Sequence, residues 1–529
     1  MKIKKVLRKF LSGSSFAIFL LLIELLAIIF LQFFASDIIT AIIGNIENAE
    51  LAQLYMALGY IFLKLIGFIV ALIIFFKIIN KQEDPEFKIP WIVGMLLLPF
   101  FFSIMYMIFA NHGLRKKDKR IISKSNEEIA KYMKFDKEKM TTELGNAIGA
   151  FRYINSTTTL SAYNNNKVTY FSRGEHFFKD LMTSLKEAKR FIFIEFFIIT
   201  DGKLWSEVQE ILKAKAQEGV EIRIVYDDMG CGGTISSRTP KILRKYGIKC
   251  VKFHPFRPIL SGVYNNRDHR KIVVIDNDIA YTGGANLADE YANIISRFGY
   301  WKDTMIRIEG SAINSLIAIF LQNYDLSVNK VSDYGKYLDY EYPKYEEKGF
   351  VMPYGDGPGG IDDALIGEQT YINLLNYAKE EVYISTPYLV PTYSLLDAMR
   401  NAALRGVDVH LFLPGIPDKK LVFKVAQSNF RCLLDAGVKI HIYKPGFNHM
   451  KTVIADDKLA VVGTINFDFR SLVHHFECAS LLYDCPCLVD IKNDFQEMES
   501  VSTLVPDDFK MSKSTKRICS LIKIISALL

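Results

Sequence analysis

HRKIVVIDNDIAYTGGAN, residues 269–286, and HMKTVIADDKLAVVGTIN, residues 449–466, are two versions of one phrase set 180 positions apart (449 minus 269). Aligned without a gap, they match His269, Lys271, Asp276, Gly283, Gly284 and Asn286 to His449, Lys451, Asp456, Gly463, Thr464 and Asn466. A six-position match of this kind predicts a duplicated unit. Each copy runs from its His into a β-branched stretch (KIVVID, KTVIAD), a polar turn and a second apolar run ending in Gly, which is the pattern of a hairpin. Residues two apart on a strand share a face, so His269 and Lys271 point together, as do His449 and Lys451.

The pattern around each copy is that of an α/β fold. From about Tyr153, short β-rich runs alternate with amphipathic helices, as a parallel sheet requires. RFIFIEFFII, VEIRIVYDD, EVYISTPYLV and VDVHLFLPG read as strands, and SEVQEILKAKAQEG and SLLDAMRNAALRG as helices closed by Gly219 and Gly406. Both halves keep one element order, which predicts pseudo-twofold packing about a shared site. The Gly- and Pro-rich stretch Met352–Gly360 reads as the crossing link.

A pocket made where two such halves meet holds two imidazoles, two ammonium groups and two Asn amides, a set suited to a phosphodiester. Lysines and amides bind the non-bridging oxygens, Asn286 and Asn466 among them, and stabilise charge in a pentacoordinate transition state. One imidazole attacks phosphorus while the other protonates the leaving oxygen, and the roles reverse when an acceptor arrives. The acid partner needs a carboxylate to hold its proton. Glu477 in HHFECASLLYD and Asp303 in YWKDTMIRIEG, its equivalent in the first half, are the candidate orienting carboxylates. Asp276 and Asp456 sit at the hairpin turns and read as structural more than catalytic, although they belong to the motif. A Lys beside each His repels a cation, so no metal and no cofactor is expected. His474 and His475 carry no signal of their own.

Composition limits the partners. The chain of 529 residues is half apolar with 23% charged residues, and its net charge of +7 is mild. That charge is concentrated near the N-terminus and fits an anionic lipid surface better than a nucleic-acid groove, so no nucleic acid is expected. Seven scattered cysteines fit no disulfide framework and suggest a reducing compartment. Cys485 and Cys487 lack the spacing and partners of a zinc site.

Three apolar runs, Phe16–Ala35, Met56–Phe76 and Pro90–Ala110, approach the ~20 residues of a membrane span. They predict a membrane region over 1–115 with two or three transmembrane helices. Lys2, Lys4, Lys5, Arg8 and Lys9 place the N-terminus inside, while Arg115, Lys116, Lys117, Lys119 and Arg120 argue that the following chain is cytoplasmic too. Three full spans cannot satisfy both. Glu24 and Lys64, unusual at membrane depth, suggest that the first run does not span normally.

At these motifs the chain resembles the phospholipase D superfamily, whose signature H-x-K-x4-D, followed by Gly, a small residue and Asn, occurs twice. It resembles most the bacterial cardiolipin synthases, through IEFFIITDG, GGANLADEY, TPYLVPTYSLLDAM, GTINFDFRSL and the tail STKRICSLIKIISALL, in that order. The resemblance implies a duplicated α-β-α sandwich, with phospholipase D-like domains at 150–345 and 360–510 and a basic, apolar tail at 511–529. It implies transfer of a phosphatidyl group between two phosphatidylglycerols at a cell membrane without metal, His269 being the nucleophile and His449 the acid and base. A hydrolase or another phosphatidyltransferase of the superfamily would carry the same motifs. The departures are the additional run Phe16–Ala35 and an ending SALL in place of SPLL, which bear on topology and not on chemistry.

Overall fold

The structure is a computed structural model and describes residues 49–81, 85–110, 113–134, 137–255, 265–358 and 364–526. The chain divides into two compact units. One comprises Met1–His112, Arg257–Tyr264 and Leu521–Leu529; the other comprises Gly113–Phe256 and Asn265–Ser520 and contains both copies of the repeated phrase.

The second unit is built on two large mixed sheets. The first half contributes β1 (Lys167–Phe171), β2 (Phe191–Phe196), β3 (Glu221–Asp227), β4 (Lys249–Phe253), β5 (Lys271–Ile275), β6 (Ile279–Gly283), β7 (Tyr300–Lys302) and β8 (Met305–Glu309). The second contributes β9 (Phe350–Asp356), β10 (Glu381–Ser385), β11 (Leu389–Val390), β12 (Asp408–Pro414), β13 (Lys439–Tyr443), β14 (Gly446–Asn448), β15 (Thr452–Ala455), β16 (Leu459–Gly463), β17 (Phe467–Asp468), β18 (Glu477–Tyr483) and β19 (Ser502–Leu504). The sheet orders are β1-β8-β6-β5-β2-β3-β4 and β9-β18-β16-β15-β10-β12-β13-β19. Position for position they coincide, β19 being one addition, so the repeated phrase marks a repeated sheet. In both, β-α-β crossovers make β2-β3-β4 and β10-β12-β13 parallel, and the phrase supplies the antiparallel central hairpin.

The hairpin turns explain two motif carboxylates. Asp276 adopts φ 53° and Asp456 φ 50°, a left-handed conformation that Asp tolerates at a turn. Asp276 accepts the backbone N–H of Lys189, Arg190 and Phe191 at 2.7–2.9 Å, and Asp456 accepts those of Lys379, Glu380 and Glu381 at 2.8–3.0 Å. Each carboxylate ties its hairpin to the start of the neighbouring strand, β2 or β10.

The halves share their core. The helix Ile313–Val328 is apolar on nearly every side and is buried against β3, β4, β5 and β9. A buried pair, Lys302 Nζ to Asp494 Oδ1 at 2.5 Å, joins the first half to the helix Leu488–Ser500 of the second.

Three expectations are corrected. Met352–Asp356 is not a linker: it belongs to edge strand β9, which pairs antiparallel with β18. Pro353 is tolerated because an edge strand does not need every N–H for its ladder. The run Pro90–Ala110 is not one span, since it breaks at Leu98 into helices Pro85–Leu97 and Pro99–Phe109, which fold back on each other around Trp91, Met95, Phe101 and Met105. The basic stretch after it is the solvent face of the helix Lys116–Ala130, whose Asp118, Ser125 and Ile129 are buried. Met56–Phe76 lies within the helix Ala49–Asn80, while Phe16–Ala35 and Glu24 lie outside the described residues. No helix among the described residues is long and apolar enough to cross a membrane, so the expected transmembrane helices are not found there. The seven cysteines are free.

Candidate active site

Each histidine of the repeated phrase lies immediately before a central strand, and the backbone leading to it crosses to the other half. His269 N donates to Phe476 O at 2.8 Å, and Phe476 N to Arg267 O at 2.8 Å. In the same way β14, ending one residue before His449, pairs parallel with β7, and His449 N donates to Lys302 O at 2.8 Å. These crossings bring each imidazole to the carboxylate of the opposite half. His269 Nδ1 lies 2.9 Å from both oxygens of Glu477, and His449 Nδ1 lies 2.6 Å from Asp303 Oδ2. With Nδ1–H held in this way, Nε2 of each ring carries the lone pair.

All six groups are withdrawn from water. Both histidines are 6% exposed, and Lys271, Lys451, Asp303 and Glu477 are fully buried. Lys271 Nζ donates to His269 O at 2.6 Å; Lys451 Nζ donates to His449 O and lies 2.8 Å from His449 Nδ1. Desolvation lowers the His269 imidazole to about 3, with Lys271 adding to the effect against Glu477. His449 is also held well below its usual value, by burial and then by Lys451, Lys271 and Lys419. Desolvation brings Lys271 to about 8 and Lys451 to about 7, although Glu477 and Asp303 oppose it. Asp303 rises to about 6 through burial, whereas Glu477, despite its burial, is held below the usual range by His269 and the donors around it. At neutral pH the site therefore offers two neutral imidazoles on two carboxylates, with the Lys271 ammonium beside them and Lys451 near the midpoint of its titration.

The two carboxylate niches differ at one motif position. Glu477 accepts the hydroxyls of Thr464 and Ser471, while Asp303 accepts its neighbour's N–H, Thr304, at 2.9 Å. At the place of Thr464 the first copy has Gly284, where a Cβ would lie 2.0 Å from Asp303 Oδ1. The small residue of the motif is thus a hydroxyl donor in one niche, while in the other the absence of a side chain lets the Asp303 carboxylate occupy that place.

The two Asn residues are less alike than their alignment implies. Asn286 Oδ1 accepts Ile198 N at 3.1 Å and its amide donates to Tyr291 OH at 2.7 Å, so most of its side chain serves the scaffold around His449. Asn466 is 5% exposed, donates its backbone N–H to Ser471 Oγ, and leaves Oδ1 without a partner among the described residues. Asp276 and Asp456 spend their oxygens at the hairpin turns instead.

Sequence reasoning missed several groups. Thr464 was read only as small, and Ser471 lay unnoticed in GTINFDFRSL. His475 packs 5.5 Å, ring to ring, from His269, with Nδ1 3.6 Å from Glu477 Oε1. Phe197 meets the His269 ring edge-on at 5.0 Å, and Tyr291, Trp301 and Phe447 surround His449 at 5.4–5.6 Å. His269, His475 and Glu477 lie close enough to share a metal ion, but the ammonium of Lys271 beside them opposes one.

The family described as "Cardiolipin synthase, PLD-like domain" matches residues 181–317 and 371–499, one segment in each half. The chain belongs to this family. Cardiolipin synthase 2 of Bacillus cereus is 32% identical over 480 residues, covering 88% of this chain and 90% of that protein. A cardiolipin synthase of Staphylococcus aureus is 32% identical over 458 residues, covering 83% and 90%. An uncharacterised protein of Streptococcus mutans is 43% identical over 458 residues, 85% of this chain and 98% of that one. The fold is also that of the phosphatidylserine synthase of Haemophilus influenzae, with a TM-score of 0.56 at 15% identity over 72% of this chain and all of that one.

Proposed function

We propose that the protein is a cardiolipin synthase that moves a phosphatidyl group from one phosphatidylglycerol to the hydroxyl of another, releasing glycerol. The observation that carries this reading is the crossed pair of neutral imidazoles, each on the other half's carboxylate, in a member of the cardiolipin synthase family. His269, whose Nδ1–H is fixed by Glu477, attacks phosphorus through Nε2. The N–P bond forms as the bond to the glycerol oxygen breaks, and His449 gives that oxygen its proton. In the empty site the lysines keep His449 neutral; the anion of a bound phosphodiester offsets them, and Asp303 holds the imidazolium that results. In the second step the acceptor hydroxyl loses its proton to His449, its oxygen bonds to phosphorus, and the N–P bond breaks. Lys271 and Lys451 stabilise the equatorial oxygens in both steps. No metal or nucleic acid enters the scheme.

A membrane setting supplies the substrate. The helix Ala49–Asn80 leaves Leu65, Phe68, Ile69, Leu72, Ile73 and Phe76 exposed, a surface of the kind that lipid covers. The basic residues of 2–9 and 115–120 support a catalytic unit on the cytoplasmic face, beside anionic lipids.

The test is mass spectrometry of lipids after the reconstituted protein is given phosphatidylglycerol alone. Cardiolipin with free glycerol is expected from the wild type, and neither from His269→Ala. Phosphatidic acid without cardiolipin would make water the acceptor and the protein a hydrolase. A rapid quench with a short-chain substrate should add one phosphatidyl mass to the intact protein, and its absence from every time point would exclude the covalent route.

A further inference from the structure

A second cluster of metal-ligating side chains lies outside the active site, on the face of the second sheet covered by the helix Leu488–Ser500. β12 and β13 are parallel neighbours, and their register pairs His410 with Lys439 and Phe412 with His441, so both histidines project from the same face. Both are 5% exposed. The two rings are nearly parallel, 7° apart, and His410 Nδ1 lies 3.1 Å from His441 Nε2. Glu499 brings Oε1 to 3.6 Å from the same His410 Nδ1. Ligand atoms of all three residues fall within 4.8 Å of one another.

The far side of His410 decides what the near side can offer. His410 Nε2 lies 3.2 Å from Asp408 Oδ2, and Asp408 is held in turn by Lys439 at 2.7 Å. A ring that donates Nε2–H to a carboxylate presents a lone pair at Nδ1, and this outer carboxylate is the usual companion of a metal-bound histidine. His410 Nδ1 thus meets His441 Nε2 on one side and Glu499 Oε1 on the other, so one nitrogen or oxygen from each of the three side chains converges on a common point. Burial, then His410 and Lys439, lower the His441 imidazole to about 4, which leaves that ring neutral at physiological pH. Phe412 stacks on it at 4.5 Å and Tyr383 on His410 at 4.5 Å, which limits both rings to small rotations in their own planes.

We propose that His410, His441 and Glu499 form a binding site for one divalent transition-metal ion, with Asp408 as the outer partner of His410. Two imidazoles and a carboxylate suit zinc or its neighbours better than calcium or magnesium, which prefer oxygen alone. On binding, His441 shifts its single ring proton from Nε2 to Nδ1 and no charge is lost. The ion ties β12 and β13 to the helix Leu488–Ser500. The same helix holds Asp494, whose carboxylate accepts Lys302, the residue before Asp303. Occupancy therefore braces β7, which ends one residue before Asp303, the partner of His449, without touching the reacting groups.

The test uses the full chain in detergent, stripped with a chelator, dialysed against zinc and assayed for bound metal and thermal midpoint. Wild type should hold one ion per chain and melt higher with zinc than without. His441→Asn combined with Glu499→Gln should lose both the ion and the zinc-dependent shift. Asp408→Asn should weaken affinity roughly 10- to 100-fold, as loss of an outer partner does. Cobalt in place of zinc should give the visible absorption of a four-coordinate ion in wild type and not in the double variant. His475→Asn serves as the control for the cluster at His269, and it should leave binding unchanged. The proposal fails if wild type binds no zinc at micromolar concentration, if the double variant binds as wild type does, or if His475→Asn alone removes the ion. Retained phosphatidyl transfer by the double variant would show that it still folds, so a loss of metal could not be ascribed to unfolding.

Discussion

Glu477 is the residue on which the chemistry of His269 depends most. Its carboxylate fixes the imidazole tautomer, and Glu477→Gln keeps the shape while offering the wrong hydrogen-bond pattern. By analogy with other carboxylate-oriented histidines, kcat should fall about 10³- to 10⁴-fold with little change in KM, read in steady-state transfer assays. Gly284→Thr, which copies the second motif into the first, should be damaging, because its Cβ would meet Asp303. The protonation states also predict a narrow pH profile for kcat/KM. Asp303, raised to about 6, loses its negative charge as pH falls below that value and no longer supports imidazolium at His449. Lys451, lowered to about 7, loses its ammonium as pH rises above that value. A bell between these limits is expected, and Lys451→Arg should move the alkaline limb up to about 8, where Lys271 titrates, since guanidinium does not deprotonate.

At the scale of elements, the hairpin carboxylates separate stability from chemistry. Asp276→Ala strands three backbone N–H groups at the start of β2, and Asp456→Ala does the same for β10. Each should cost about 1–3 kcal/mol in denaturant unfolding, with the turnover of the remaining folded enzyme near normal. Equal losses of turnover per folded molecule would mean that these residues do reach the site. The broken helix at Leu98 is a second case, in which composition suggests one long span and Pro99 imposes two short helices.

For the whole molecule, the exchange of carboxylates makes the two halves one catalytic body. Neither half contains a complete His and carboxylate pair from its own strands, so a chain with His269→Ala and another with His449→Ala should not restore transfer when mixed. Recovery of activity in that mixture would mean that sites assemble between chains. Lys302→Met should be more costly than any surface change, by about 3–5 kcal/mol, because it leaves Asp494 buried without its cation.

The sequence by itself determined the duplication, the strand and helix order of each half, the pairing of His with Lys, the turn position of Asp276 and Asp456, and both orienting carboxylates. These were legible because each depends on local periodicity or on two copies that can be compared. It did not determine which carboxylate serves which histidine. Their separations of 208 residues for His269 and Glu477 and 146 for His449 and Asp303 carry no local signal, and only the crossing of β14 with β7 and of Asp268 with Phe476 brings them together. Thr464 and Ser471 were hidden for the same reason, since a hydroxyl is read as a donor only when its acceptor is in view. Strand β9 was concealed by its Gly and Pro, which mark a loop in isolation but are allowed at an edge whose register β18 supplies. Local pattern sets what each segment can be, while burial at the junction of the two sheets decides which groups meet and how strongly they are charged.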